Sequence, residues 1–134
     1  MRKVSDMTHY NDMNVLSMHA LIGAYSKTGQ EWTDELNLVL SENVNYAFDF
    51  ISENFSGVLT SKPEGTYMLF LHCEDYCQNA GITIDELIKR GWDVGVAWQQ
   101  GAPFHDPWGV RVNLAVPYSL VKEAMNRLKE HVFL

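Results

Sequence analysis

In the segment WGVRVNLAVP, residues 108–117, Val110, Val112, Leu114 and Val116 alternate with Arg111, Asn113 and Ala115. A period of two places the branched apolar side chains on one face of a strand and Arg111 on the other. The pattern differs upstream. Residues 12–27 read as a helix with the small residues Ser17, Ala20, Gly23 and Ala24, broken by Gly29. Over 30–54, Trp32, Leu36, Val39/Leu40, Val44, Ala47 and Phe50/Ile51 recur at helical spacing. A helix of roughly 24 residues is about 36 Å long, more than a small domain requires. It reads as an element running between two bodies.

After Gly57 the rhythm shortens. VLTS (58–61) is a short strand candidate, and Pro63-Glu64-Gly65 is a turn. TYMLFLH (66–72) is apolar on both faces, as in a central strand. Thr83 with Glu86 forms a capping box that opens a helix over 83–90, closed by Gly91. Residues 94–98 read as a strand, 98–108 as an aromatic loop, and 109–115 as the next strand. Leu120, Val121, Ala124, Met125, Leu128 and Val132 mark a last amphipathic helix over 118–131. The order α-α-β-β-α-β-β-α predicts an α/β (α+β) unit: a small mixed sheet with helices packed on one face.

The chain has 134 residues, 46% of them apolar and 20% charged, which suits one folded unit with a real core. The formal charge of −7, with scattered basic residues, lacks the electrostatic footprint of a nucleic-acid binder. No apolar run approaches the ~20 residues of a membrane helix, and the start MRKVSDMTHYNDMN has no apolar core of a secretory signal. With no address visible, the expected location is the cytoplasm. Cys73 and Cys77 beside His72 invite a metal reading, but zinc needs four convergent ligands and no second Cys/His pair is evident. Two reduced thiols on a turn or short helix is the plainer reading, and no metal is expected. His9, His19 and His131 have no acidic or cysteine partner at a telling spacing; His105, beside Asp106, is the histidine with a plausible site role.

Arg111 is the candidate that asks for a partner. An arginine within an apolar strand is costly to desolvate unless something anionic meets it. The strand pattern alone leaves two answers open: an ion pair with one of the 17 acidic residues, or a ligand.

Four segments in order carry a resemblance: TGQEWTDELNLVLSENVNYAFDFI (28–51), PEGTYMLFL (63–71), GVAWQQGAPF (95–104) and VRVNLAVP (110–117), followed by a closing helix. From about Asn14 to Leu134 the chain resembles the C-terminal, small domain of class I/II pyridoxal-phosphate (PLP) aminotransferases of the aspartate-aminotransferase fold. The branch it looks most like holds the cystathionine β-lyases and C–S lyases. The resemblance implies a helical interdomain segment over 1–54 and the small domain over 55–134. It also implies that Arg111, in R-x-N-x-A, binds the α-carboxylate of an amino-acid substrate, with Asn113, Phe104 and His105 as weaker candidates nearby. In such enzymes the Schiff-base lysine, the aspartate facing the pyridine nitrogen and most of the phosphate cup lie upstream of the matching segment. No catalytic or cofactor-binding residue is therefore expected here, and PLP is expected in a full-length enzyme but not on this chain alone. Ser26-Lys27-Thr28 mimics the family's lysine motif, but it runs on into Gln30-Glu31-Trp32, the start of the long helix; Lys27 reads as a helix-terminal lysine. Two departures from the family pattern fall near the expected pocket mouth: His72-Cys73 where the strand usually ends in aspartate, and His105-Asp106-Pro107-Trp108 in place of a glycine-flanked turn.

The expected function is thus the C-terminal part of a transaminating or β-eliminating enzyme whose large domain is a separate stretch of chain. The alternative is a stand-alone, non-catalytic amino-acid-binding or self-associating module. On the leading reading the first helix and half of the long helix, with Trp32, Leu36 and Leu40, expose apolar surface that the missing large domain would cover and that a second copy is expected to cover in the isolated chain.

Overall fold

Helical periodicity and capping side chains account for the first elements of the structure, a computed structural model that describes residues 13–134. Position 12, where the sequence starts the first helix, and His9 lie outside the described residues. Helix α1 spans Val15–Ala24, with the Asn14 side chain accepting from Ser17 N–H at 2.9 Å. Helix α2 spans Lys27–Asn54. Gly29 was expected to break the helical pattern; the break falls instead at Tyr25-Ser26, and Gly29 lies inside α2. The reason is capping: the Ser26 hydroxyl accepts from Gly29 N–H at 3.1 Å, starting the new helix. The chain divides into two compact units between Asn37 and Leu38.

In the first unit α1 buries none of its residues, and Leu16, Ile22 and Trp32 are among its exposed large apolar side chains. Leu36 and Leu40, expected to be exposed with Trp32, are half-buried.

The second unit holds the rest of α2, then β1 (Leu59–Thr60), β2 (Met68–His72), α3 (Glu74–Ala80), α4 (Ile84–Asp93), β3 (Gln99–Gln100), a 3₁₀ turn (Ala102–Phe104), β4 (Gly109–Asn113) and α5 (Tyr118–His131). The sheet order is β1-β2-β4-β3, antiparallel throughout where a mixed sheet was expected. Register pairs Leu69 with Val112 and Leu71 with Val110, which puts these buried side chains on one face. They join one core with Val44, Ala47 and Ile51 of α2, Leu87 and Ile88 of α4, and Val121, Met125 and Leu128 of α5. The other face carries Met68, Phe70 and His72 of β2 opposite Asn113, Arg111 and Gly109 of β4.

Two expectations fail between α4 and β3. The Thr83 cap holds, its hydroxyl accepting from Glu86 N–H at 3.2 Å. But Gly91 does not end the helix, and 94–98 is not a strand. The helix runs to Asp93 and stops in a Schellman turn: Val96 N–H bonds Gly91 O at 2.8 Å, Gly95 N–H bonds Trp92 O at 2.9 Å, and Gly95 takes φ +81°. Val94 and Val96 flank that left-handed glycine, so their spacing imitates a strand while their backbone closes a helix. Trp98 is buried with its indole N–H on Ile88 O at 3.0 Å, which anchors the chain directly before β3.

A latch inside this unit fixes the end of β4. Asn43 is fully buried on α2, and its Nδ2 donates to Leu114 O and to Val116 O, each at 2.8 Å. The polar side chain sits within the helix's buried run of Asn43, Val44, Ala47 and Ile51 because it serves two carbonyls of the β4–α5 connection.

Candidate functional site: the open face of the sheet

Arg111 lies in the middle of β4, opposite Phe70 on β2 and Gln99 on β3. All three therefore share the sheet face turned away from the helices. The Arg111 side chain is half-buried, and its partner is neutral: Oε1 of Gln99 accepts from Nε at 2.9 Å and also from Nη2. Among the described residues Arg111 forms no ion pair, so the acidic-partner alternative raised by the strand pattern does not occur among them.

The guanidinium also lies over an aromatic ring, with Cζ 4.3 Å from the centroid of Phe104. Phe104 in turn meets Phe70 edge-on at 6.3 Å. The turn that carries Phe104 depends on a close backbone approach: Gly101 N–H bonds Gly109 O at 2.7 Å, and a Cβ at position 101 would sit 2.6 Å from that oxygen. The chain then folds back, Phe104 N–H bonding Gly101 O at 2.7 Å, and lays the ring against the guanidinium.

The other candidates separate. Asn113 is exposed, and its Oδ1 accepts from Ala115 N–H at 2.8 Å, a local turn bond that ends the strand. His105 is exposed and takes φ +66° after the 3₁₀ turn. His131 lies 3.9 Å from Glu130, both exposed. Trp98 belongs to the buried core, and Trp108, partly buried, packs against that core. Cys73 and Cys77 are free and buried, and burial pushes both thiols up; among the described residues no cluster suited to a metal ion forms. No helix among them is long and apolar enough to cross a membrane.

The histidine with charged partners is His72, at the end of β2. Its Nδ1 bonds Asp106 at 2.8 Å, and its Nε2 lies 3.4 Å from Glu74. Asp106 is held by Trp108 N–H at 3.0 Å. Sequence reasoning missed this trio because Asp106 is 34 residues from His72. A signal existed: both positions were departures from the resembled pattern, and the structure brings them together. His72 also lines a shallow open groove of about 270 Å³ with Leu59, Thr60, Ser61 and Phe70.

The hydrogen bond to Asp106 raises the His72 pKa above 6.5, against a smaller opposing effect of burial. A raised folded-state pKa stabilises the fold fully below pH 6.5, and that contribution is lost as pH rises through the raised value. Following the His72 ring resonances by NMR is expected to give a midpoint above 6.5, and Asp106→Asn is expected to lower it. An unchanged midpoint in that variant rules out Asp106 as the cause.

Comparison with known proteins follows the same outline. No protein-family model matches the chain. It is 28% identical over 120 residues to the cystathionine β-lyase PatB of Bacillus subtilis, covering 87% of this chain and 30% of that protein. It is 27% identical over 119 residues to the aspartate aminotransferase of Bacillus subtilis, with the same coverage. Among solved structures it resembles the PLP-bound C–S lyase from Staphylococcus hominis, with a TM-score of 0.80 and 27% identity over 95% of this chain and 33% of that one. The chain thus spans about a third of the length of the relatives it matches.

Proposed function

We propose, from the premise that this chain has the fold of the C-terminal part of PLP-dependent aminotransferases and C–S lyases, that it supplies the substrate-carboxylate arginine of such an enzyme. The observation that carries the reading is Arg111 itself. It is a guanidinium on the open face of the sheet, held by a neutral amide and a ring, with no carboxylate among the described residues to neutralise it. A planar fork of N–H donors suits a carboxylate, which it meets with two parallel bonds. The amino-acid substrate is the partner this implies, and transamination or β-elimination at the cofactor is the chemistry. PLP supplies the electron sink for either reaction when bound.

The described residues do not by themselves fit PLP. In the second unit Lys62, Lys122 and Lys129 lie over the rings of Phe48, Tyr118 and Phe50, and Lys89 is on the exposed side of α4. In the first, Lys27 pairs with Glu31 at 3.7 Å and is 91% exposed. A Schiff base needs an amine held in a preorganised pocket beside the aldehyde, and these lysines lie on exposed surface. On this reading the lysine and the phosphate cup belong to the other part of the enzyme, and what this chain contributes is binding and orientation of the substrate. The exposed apolar side chains of α1 are then surface that the large domain or a second copy covers.

The test is to mix the isolated chain with PLP, reduce with borohydride and map the label. The expected result is no stoichiometric, site-specific pyridoxyl group and no transamination or β-elimination. A stoichiometric label on one lysine, Lys27 included, overturns the division of labour proposed here.

A further inference from the structure

Arg111 has two edges on which a carboxylate could fork, and the structure treats them differently. The side edge, Nε with Nη2, is already closed by the single oxygen Oε1 of Gln99. On the end edge, Nη1 donates to no described residue, and Nη2, which spends one hydrogen on Gln99, keeps its second for that edge. Because both guanidinium donors face Gln99, the carboxamide must present its oxygen to Arg111. Its Nε2 donates to no described residue.

Gln99 is well placed to hold this geometry. It pairs directly with Arg111 across β3 and β4. The residue before it, Trp98, is buried and anchored to α4. The residue after it, Gln100, faces the other way and reaches Asp85 at 3.4 Å. Gly101 then locks the strand end onto Gly109. Below the guanidinium plane Phe104 blocks rotation.

We infer that Gln99 is the positioning residue of the carboxylate site: its carbonyl oxygen locks Arg111 so that the end edge faces the ligand. This rests on the carboxylate reading of Arg111 given above. A glutamine is suited to the task where a glutamate is not. A resident carboxylate would neutralise the arginine and repel the incoming anion, whereas a carboxamide orients the cation without cancelling its charge. The site so built selects a planar monoanion carrying its charge at one end, and it disfavours an amide or ester in that position.

The experiment uses steady-state kinetics with an L-amino acid in the PLP-loaded enzyme that contains this chain, comparing Gln99→Ala, Gln99→Glu, Gln100→Ala and Arg111→Ala. Gln99→Ala is expected to raise KM about 5- to 20-fold with a smaller change in kcat, the size of a lost charge-assisted hydrogen bond. Gln99→Glu is expected to cost about 100-fold or more in kcat/KM, because a like charge then sits at the site. Gln100→Ala, on the same short strand but the opposite face, is expected to leave both constants unchanged, which separates positioning from damage to the strand. A second readout does not depend on turnover: in the ¹⁵N-labelled chain, the Arg111 Nε–H is expected to exchange slowly with water and to lose that protection in Gln99→Ala. If Arg111→Ala lowers kcat/KM but Gln99→Ala and Gln99→Glu do not, Gln99 is not a positioning residue and the arginine acts alone. If Arg111→Ala itself has no effect on KM or kcat/KM, the carboxylate reading falls and this inference with it.

Discussion

Arg111→Ala is expected, on the proposed function, to lower kcat/KM for α-carboxylate substrates about 30- to 1000-fold in the PLP-loaded enzyme that contains this chain. The magnitude follows from the bond lost. A bidentate, charge-assisted contact to a carboxylate is among the strongest polar interactions a protein makes, and its removal costs on the order of 2–4 kcal/mol. Truncation also strips the ring face of Phe104 and leaves Gln99 without its two donors. Arg111→Lys is expected to recover little, because an ammonium offers no planar fork and cannot meet Gln99 and a carboxylate edge to edge. The diagnostic comparison is between an L-amino acid and its amide. A loss confined to the acid supports a carboxylate partner, and an equal loss on both substrates places Arg111 elsewhere in the chemistry. In the isolated chain the same arginine is expected to hold an amino acid only weakly, since a half-open site leaves the pair screened by water and the entropy of binding unrecovered.

Asn43→Ala is expected to destabilise the fold by about 2–4 kcal/mol. One side-chain nitrogen serves the carbonyls of Leu114 and Val116, and Leu114 is 1% exposed. Removing the donor strands at least one acceptor away from water, which costs more than the net value of the bond itself. The effect reaches the site as well as the core, because these carbonyls follow directly on the strand that carries Arg111. Asn43→Asp is expected to do more harm at neutral pH than at low pH: a buried carboxylate facing carbonyl oxygens has no donor to offer until it is protonated. Denaturant titration is the check, with the midpoint falling at unchanged slope. A loss below about 1 kcal/mol in Asn43→Ala means that water replaces the amide and that the latch is dispensable.

What the sequence determined by itself is local. Helix α5 matches its predicted span of 118–131 because its apolar positions recur at one helical period. The Thr83 cap was legible because donor and acceptor are three residues apart. The placement of Arg111 on the face opposite Val110 and Val112 was legible because strand alternation admits nothing else. Where two local codes coincide, the sequence misled: the valines at 94 and 96 fit a strand, and only the left-handed Gly95 with its two backbone bonds makes them the end of a helix. The long-range contacts at the candidate site and behind it were set by tertiary structure alone. Gln99 reaches Arg111 across twelve residues, His72 reaches Asp106 across thirty-four, and Asn43 reaches Leu114 across seventy-one. Each depends on strand register or on how a helix seats against the sheet. Register and seating are decided by the packing of the whole core, so no spacing along the chain encodes them.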